Sequence, residues 1–385
     1  MPAVLFWVYV SLISDLLNFS RVNYRKRQKQ LQTELGRASL DALLVTHLPN
    51  VQYLCGFTGS AATLLVTEKL VTLFTDGRYT AQAKTEVQGT RIVIGKKAVL
   101  AILTEWFGSQ KSISCNIRRL GFESEHMVFA SHRALAKNLP TGVKLCPAPS
   151  LLVEQARMIK DAKEIERIEA AALLGASLFD KAITVLRPGV RENEVAAEME
   201  YAASKAGAQG MSFQTIIASG QRSALPHGRA SSQPIQPDGF VVCDFGVILS
   251  SYCSDMTRTV YVGRPTEEAR ATYEAVREAQ QAALDAIRPG RMVGEVDQAA
   301  RKVLQKHKLA RYFSHSTGHG VGLEIHESPR IGAGQQDLLR PGMVITIEPG
   351  VYLPGKWGVR IEDMALVTEQ GYKVLTPTSK ELVTV

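Results

Sequence analysis

The chain has 385 residues, of which 45% are hydrophobic and 21% charged, with a formal net charge of +8. That balance excludes a disordered or collagen-like chain, and the length favours two domains over one. The basic excess is dispersed without interleaved aromatics, so it carries no nucleic-acid footprint. Its one cluster, Arg21, Arg25, Lys26, Arg27 and Lys29, reads as a solvated helix face.

Residues 1–23 contain an apolar run, Val4 to Val10, continuing weakly to Leu17 across Ser11, Ser14 and Asp15. No basic residue precedes it, no small-residue cleavage site follows, and it falls short of the ~20 residues of a membrane span. An amphipathic extension without stable membrane insertion is expected there. The five cysteines, Cys55, Cys115, Cys146, Cys243 and Cys253, are odd in number and form no Cys-x-x-Cys pair, which suits a cytoplasmic protein.

Residues 24–39 are predicted as a helix and 41–45 as a buried strand. Strands follow at 63–67, 70–74 and 91–94, helices at 80–86 and 97–106, a last strand at 120–123 and a helix at 131–139. This alternation predicts an α/β domain over 24–150, bounded by the segment 140–150 with Pro140, Gly142, Pro147 and Pro149. In the second domain, 151–385, helices are predicted at 159–186 and 192–206, the first stopped by Pro188-Gly189 and the second by Gly207. Strands are expected at 215–218, 240–249 and 252–262. A second helix pair, 266–287 and 293–309, has the same Pro289-Gly290 stop, and strands at 343–347, 359–367 and 372–375 complete the chain.

Asp244 and Asp255 lie eleven residues apart in apolar runs, which predicts neighbouring strands aiming two carboxylates into one space. Such a pair needs a cation to stay ionised. His319, in Gly318-His319-Gly320, Glu348, in Ile347-Glu348-Pro349-Gly350, and Glu362, in Arg360-Ile361-Glu362-Asp363, bring the set to four carboxylates and one imidazole. Four negative charges match two divalent cations. Oxygen-rich ligation with one histidine suits Mn, Co, Fe or Zn, with Mn as first choice. Gly318 to Gly322 lacks the spacing of a dinucleotide loop, and His326-Glu327 does not open a zinc helix because Pro329 and Arg330 follow.

In order and spacing these five motifs resemble the metal-dependent pita-bread peptidases of family M24, which include methionine aminopeptidase, prolidase and Xaa-Pro aminopeptidase. The stretches Asn50 to Ser60 and Phe74 to Tyr79 are similar to the amino-terminal domain of prolidases, Xaa-Pro aminopeptidases and creatinases. The resemblance implies an α/β N-terminal domain and an α+β pita-bread catalytic domain, in which two helix pairs, related by a pseudo-twofold, lie outside a curved antiparallel sheet. Residue by residue, it implies that Asp244 chelates one metal, Asp255 and Glu362 bridge both, and His319 and Glu348 complete the other.

The resemblance further implies His227, His315 and His326, with Glu348, as groups that move protons or stabilise the tetrahedral species, His227 also touching substrate. Arg360 would orient Glu362 or bind a substrate carboxylate, and Arg330 resembles the clamp prolidases use on the free carboxylate of proline. Three readings stay open. An Xaa-Pro aminopeptidase acting on proline-containing peptides is slightly preferred, a prolidase restricted to dipeptides comes next, and a non-catalytic metal-binding module is third. A homodimer is expected from the resembled family.

Overall fold

A computed structural model of the chain describes residues 22–110 and 116–385, so the expected extension lies outside the described residues up to position 21. The chain divides into two compact units, which meet in sequence between Arg157 and Met158.

In the first unit six strands form one mixed sheet, in the order Arg91–Gly95, Val71–Asp76, Ala62–Thr67, Ala42–Val45, Arg119–Phe122 and Lys144–Pro147. The last strand lies inside 140–150, where a bare connection was expected, so 120–123 is not the final strand. Pro147 is tolerated in it because this is an edge strand whose missing N–H costs the sheet nothing. Leu44, Leu65, Phe74, Leu103, Phe107 and Leu120 fill the core between sheet and helices. Asn50, fully buried, ties the unit together: its amide donates to Glu123 at 2.7 Å and to Glu154 at 2.6 Å, and Arg157 donates to its oxygen at 2.7 Å.

In the second unit every strand ladder is antiparallel. The helices Ala162–Val185 and Glu192–Lys205 bury Leu174, Leu178, Val195 and Met199 against Ile217, Val241, Cys243 and Val260. Glu267–Asp285 and Val293–Lys306 bury Tyr273, Val276, Val296 and Leu304 against Ile345, Ile347, Val359 and Ala365. The two pairs are built alike from local signals. Asp161 and Thr266 cap the long helices through their side chains, Gly189 and Gly290 follow them at φ 86° and 79°, and Glu194 and Glu295 each accept the backbone N–H three residues back.

Three expected strands are broken. The segment 240–249 divides into Gly239–Phe245 and Val247–Leu249, 252–262 into Tyr252–Cys253 and Met256–Val262, and 359–367 into Trp357–Arg360 and Asp363–Thr368. All three breaks fall at or beside carboxylates of the metal motifs. No helix among the described residues is long and apolar enough to cross a membrane.

Candidate metal centre

Glycines let the backbone segments of the site approach one another. A Cβ on Gly246 would sit 1.8 Å from the Ser254 carbonyl oxygen, so only glycine allows the chain to turn back there. That turn returns Asp255 beside Asp244, whose strand pairs with Met256–Val262 in the register Thr257 to Asp244. The Gly-His-Gly motif has the same cause. Cβ atoms on Gly318 and Gly320 would lie 1.9 Å from the Thr346 oxygen and 2.2 Å from the Ser328 oxygen, because this short strand is squeezed between its two neighbours. Glu348 follows Val344–Ile347 directly, and Glu362 occupies the break before Asp363–Thr368, its N–H donating to the Thr257 carbonyl at 3.1 Å.

The side chains converge. Ligand atoms of Asp255, His319 and Glu362 lie within 4.8 Å of one another, and His319 Nε2 stands 3.3 Å from Glu348 Oε1 and 3.6 Å from Asp255 Oδ2. The partner of His319 Nδ1, at 3.0 Å, is the Gly320 carbonyl, which can only accept, so the proton is on Nδ1 and the Nε2 lone pair faces the carboxylates. Glu362 accepts from Thr257 at 2.7 Å and Glu348 from Thr346 at 3.2 Å. Asp244 Oδ1, Asp255 Oδ1 and Glu362 Oε1 are buried without a hydrogen-bond partner. Buried carboxylates that each keep an orphaned oxygen, gathered with a neutral imidazole, fit divalent cations.

The electrostatics agree. With protein atoms alone around them, burial and then mutual repulsion hold the Asp255 and Glu362 carboxyls well above the usual carboxylate range. Glu348 is pushed up to about 7, chiefly by burial. Burial also lowers His319, keeping its imidazole neutral and able to ligate.

Around this set lies a connected polar layer. Arg360 is 3% exposed and donates to Asp244 Oδ2 at 2.5 Å, Tyr352 Oη at 2.7 Å, the Pro226 carbonyl at 3.0 Å and Thr257 Oγ1 at 3.1 Å. The carboxylate it grips is therefore Asp244, not the expected Glu362, and its guanidinium is committed inside the protein instead of facing a substrate. His315 Nδ1 donates to the Ser316 carbonyl at 2.8 Å, and its Nε2 takes the Tyr352 hydroxyl at 2.8 Å. Both nitrogens are thus occupied. Burial, followed by the charge of Arg360, lowers His315 to about 4, so it is neutral at pH 7.

His326 packs edge-on against the His319 ring with centroids 4.5 Å apart, and it reaches solvent. Burial and His319 lower its pKa. His227 is exposed on the loop after Gly220–Ala224, near enough for its charge to depress both His315 and His326. Arg330, also exposed, sits directly across the ladder from His319, so the two side chains leave the same face of the sheet. Sequence reasoning missed Tyr352, Thr257 and Thr346. A tyrosine or threonine in an apolar strand reads as sheet filler, and nothing in its spacing marks a polar partner.

A second group, His47, His126 and Glu154 in the first unit, also has ligand atoms within 4.8 Å. Its two rings are stacked 3.7 Å apart at 11°, so their in-plane lone pairs run side by side instead of converging at the ~2.0 Å a shared ion needs.

Two family models match the chain: metallopeptidase family M24 over residues 166–369, and the creatinase/prolidase N-terminal domain over 27–159. An Xaa-Pro dipeptidase structure from Bacillus anthracis superposes with a TM-score of 0.90 at 38% identity, covering 94% of this chain and all of that one. The Xaa-Pro dipeptidase of Pyrococcus horikoshii is 38% identical over 93% of this chain and 99% of its own. An X-Pro aminopeptidase structure from Thermotoga maritima superposes with a TM-score of 0.84 at 35% identity, covering 92% and 99%. With the catalytic model matched over more than half of the sequence and relatives alike along nearly their whole length, the chain belongs to metallopeptidase family M24.

Proposed function

We propose that this chain is an Xaa-Pro dipeptidase, a hydrolase that cleaves the bond before proline in a dipeptide with the help of two divalent metal ions, Mn being the first choice. The observation that carries the reading is the convergence of His319 with the carboxylates of Asp255 and Glu362, which, like Asp244, each keep one buried oxygen without a hydrogen-bond partner. Relatives named Xaa-Pro dipeptidase at 38% identity move the preference away from the aminopeptidase first favoured. Arg330, exposed on the face that carries His319, suits a clamp for the carboxylate at the end of a dipeptide. The aminopeptidase remains the second reading because the Thermotoga maritima relative bears that name.

In this reading Asp244, Asp255, His319, Glu348 and Glu362 would hold the ions. Two such ions would acidify water and polarise a carbonyl, supplying the nucleophile and stabilising developing negative charge. The remaining work belongs to side chains. The bond before proline is a tertiary amide with no N–H, so the leaving nitrogen must be given a proton. Glu348, whose buried carboxyl is raised to about 7, is suited to take the proton from water and return it to that nitrogen. His326 and His227 reach the same space from the rim, where an imidazole can hydrogen-bond the substrate. Arg360 holds Asp244 in place, and Tyr352 links that cation to His315, so both act by orienting other groups.

The test is a peptide assay read by mass spectrometry, with chelator-stripped protein reloaded with Mn and offered an Xaa-Pro dipeptide beside an Xaa-Pro-Yaa tripeptide. Metal-dependent cleavage of the dipeptide alone supports the proposal. Release of the first residue from the tripeptide establishes the aminopeptidase, and cleavage of neither, with metal bound, leaves a non-catalytic metal-binding module.

A further inference from the structure

Glu192 opens the helix Glu192–Lys205 and has no solvent exposure. Its carboxylate gathers both ends of the segment 219–231. At one end Ser219 donates its N–H and its hydroxyl to Oε1, both at 2.8 Å. At the other, Ser231 donates its N–H and its hydroxyl to Oε2 at 3.1 and 2.6 Å. Between them Arg222 Nε reaches both oxygens, at 2.9 and 3.2 Å, while its Nη2 holds the Arg229 carbonyl at 2.6 Å. Five donors thus saturate one buried carboxylate, at a helix N-terminus that itself favours negative charge.

The residues enclosed by this brace include His227 and the half-exposed Leu225. Inside the loop, Ser223 accepts from the Gly358 N–H at 2.8 Å and Arg360 holds the Pro226 carbonyl at 3.0 Å. The carbonyls of Pro226 and Arg229, on either side of His227, are therefore held by two arginines. One of them is anchored on Asp244 and the other on Glu192. Burying a carboxylate is costly unless it is fully paired, and the apolar packing of the helix through Val195, Ala196 and Met199 does not require it.

We propose that Glu192 is a positioning residue for His227: by tying Ser219, Arg222 and Ser231 to one buried carboxylate it fixes where the loop presents that imidazole to substrate. The inference rests on reading His227 as a substrate-pocket group. It concerns substrate binding and not metal retention, because none of the five metal-site residues lies on the braced loop.

Glu192→Gln tests it in the metal-loaded full chain. The amide turns a donor toward converging donors, so the loop loosens. KM for an Xaa-Pro dipeptide is expected to rise about tenfold or more, with a smaller change in kcat and unaltered metal content. Hydrogen exchange across 220–230 should accelerate. Arg222→Lys, at a half-exposed position, should give the same signs to a smaller degree and serves if Glu192→Gln does not fold. The discriminating measurement is a double-mutant cycle: in a His227→Ala background, Glu192→Gln should leave KM unchanged within about twofold. Additive effects on KM, or exchange at 220–230 equal to the parent, overturn the proposal. A silent His227→Ala instead refutes the role assigned to His227, and exchange alone then decides whether the brace exists.

Discussion

Glu348 offers a prediction whose sign is opposite with and without metal. With protein atoms alone around it, burial raises its carboxyl from the ordinary 4.5 to about 7. A carboxyl whose folded pKa is raised contributes stability that is complete below the unfolded value and is lost as pH climbs through the folded one. At about 1.4 kcal/mol per pH unit the loss comes to about 3 kcal/mol between pH 4.5 and 7. Glu348→Gln removes the charge while keeping the shape. In excess chelator at pH 7.5 the variant should therefore be more stable than the parent by up to about 3 kcal/mol, an upward Tm shift of ~6–12 °C for a unit of this size. Parent and variant should coincide near pH 4.5. Restoring Mn reverses the order, because the parent gains binding energy that the variant, short of one ligand, cannot. The assay is thermal unfolding from pH 4.5 to 8 in chelator and in Mn. A chelated variant with the same pH slope as the parent would falsify the claim that burial and repulsion strain this cluster.

His319→Ala should lower metal content and turnover together, measured by elemental analysis beside the peptide assay, and wild-type turnover without metal would sink the mechanism. His326→Ala should lose turnover while keeping its metals, since the ring packs on His319 from the rim; unchanged kinetics removes it from the site. Arg330→Ala should impair dipeptides selectively, and an equal loss on tripeptides argues for a structural role. Tyr352→Phe takes the hydroxyl from between Arg360 and His315. It should destabilise the metal-loaded protein by about 1–3 kcal/mol in denaturant unfolding, the cost of leaving buried groups unpaired, and a neutral result means that water replaces the hydroxyl.

The sequence by itself determined what is local. Pro188-Gly189 and Pro289-Gly290 stop two long helices because their backbone preferences act within one turn, and the alternation of short apolar strands with helical stretches over 24–150 was enough for an α/β unit. Asp244, Asp255, His319, Glu348 and Glu362 could be named because each sits in a motif whose glycines or strand pattern is visible in the chain. The glycines around His319 and after Asp244 carry a steric reason, backbone approaches of about 2 Å to a would-be Cβ, which became visible only with the neighbouring strands in place.

Only the tertiary structure decided which partner each polar group takes. The edge strand Lys144–Pro147 was hidden by its prolines, since pairing on one side alone tolerates them. Arg360 grips Asp244, 116 residues away, in preference to its near neighbour Glu362, and His315 spends both nitrogens inside the protein. Glu192, in the first turn of its helix, holds Ser231, 39 residues on. A hydrogen bond depends on where the chain path brings two atoms together. The spacing around one residue records the conformation of its own segment and carries no information about the segment it will meet.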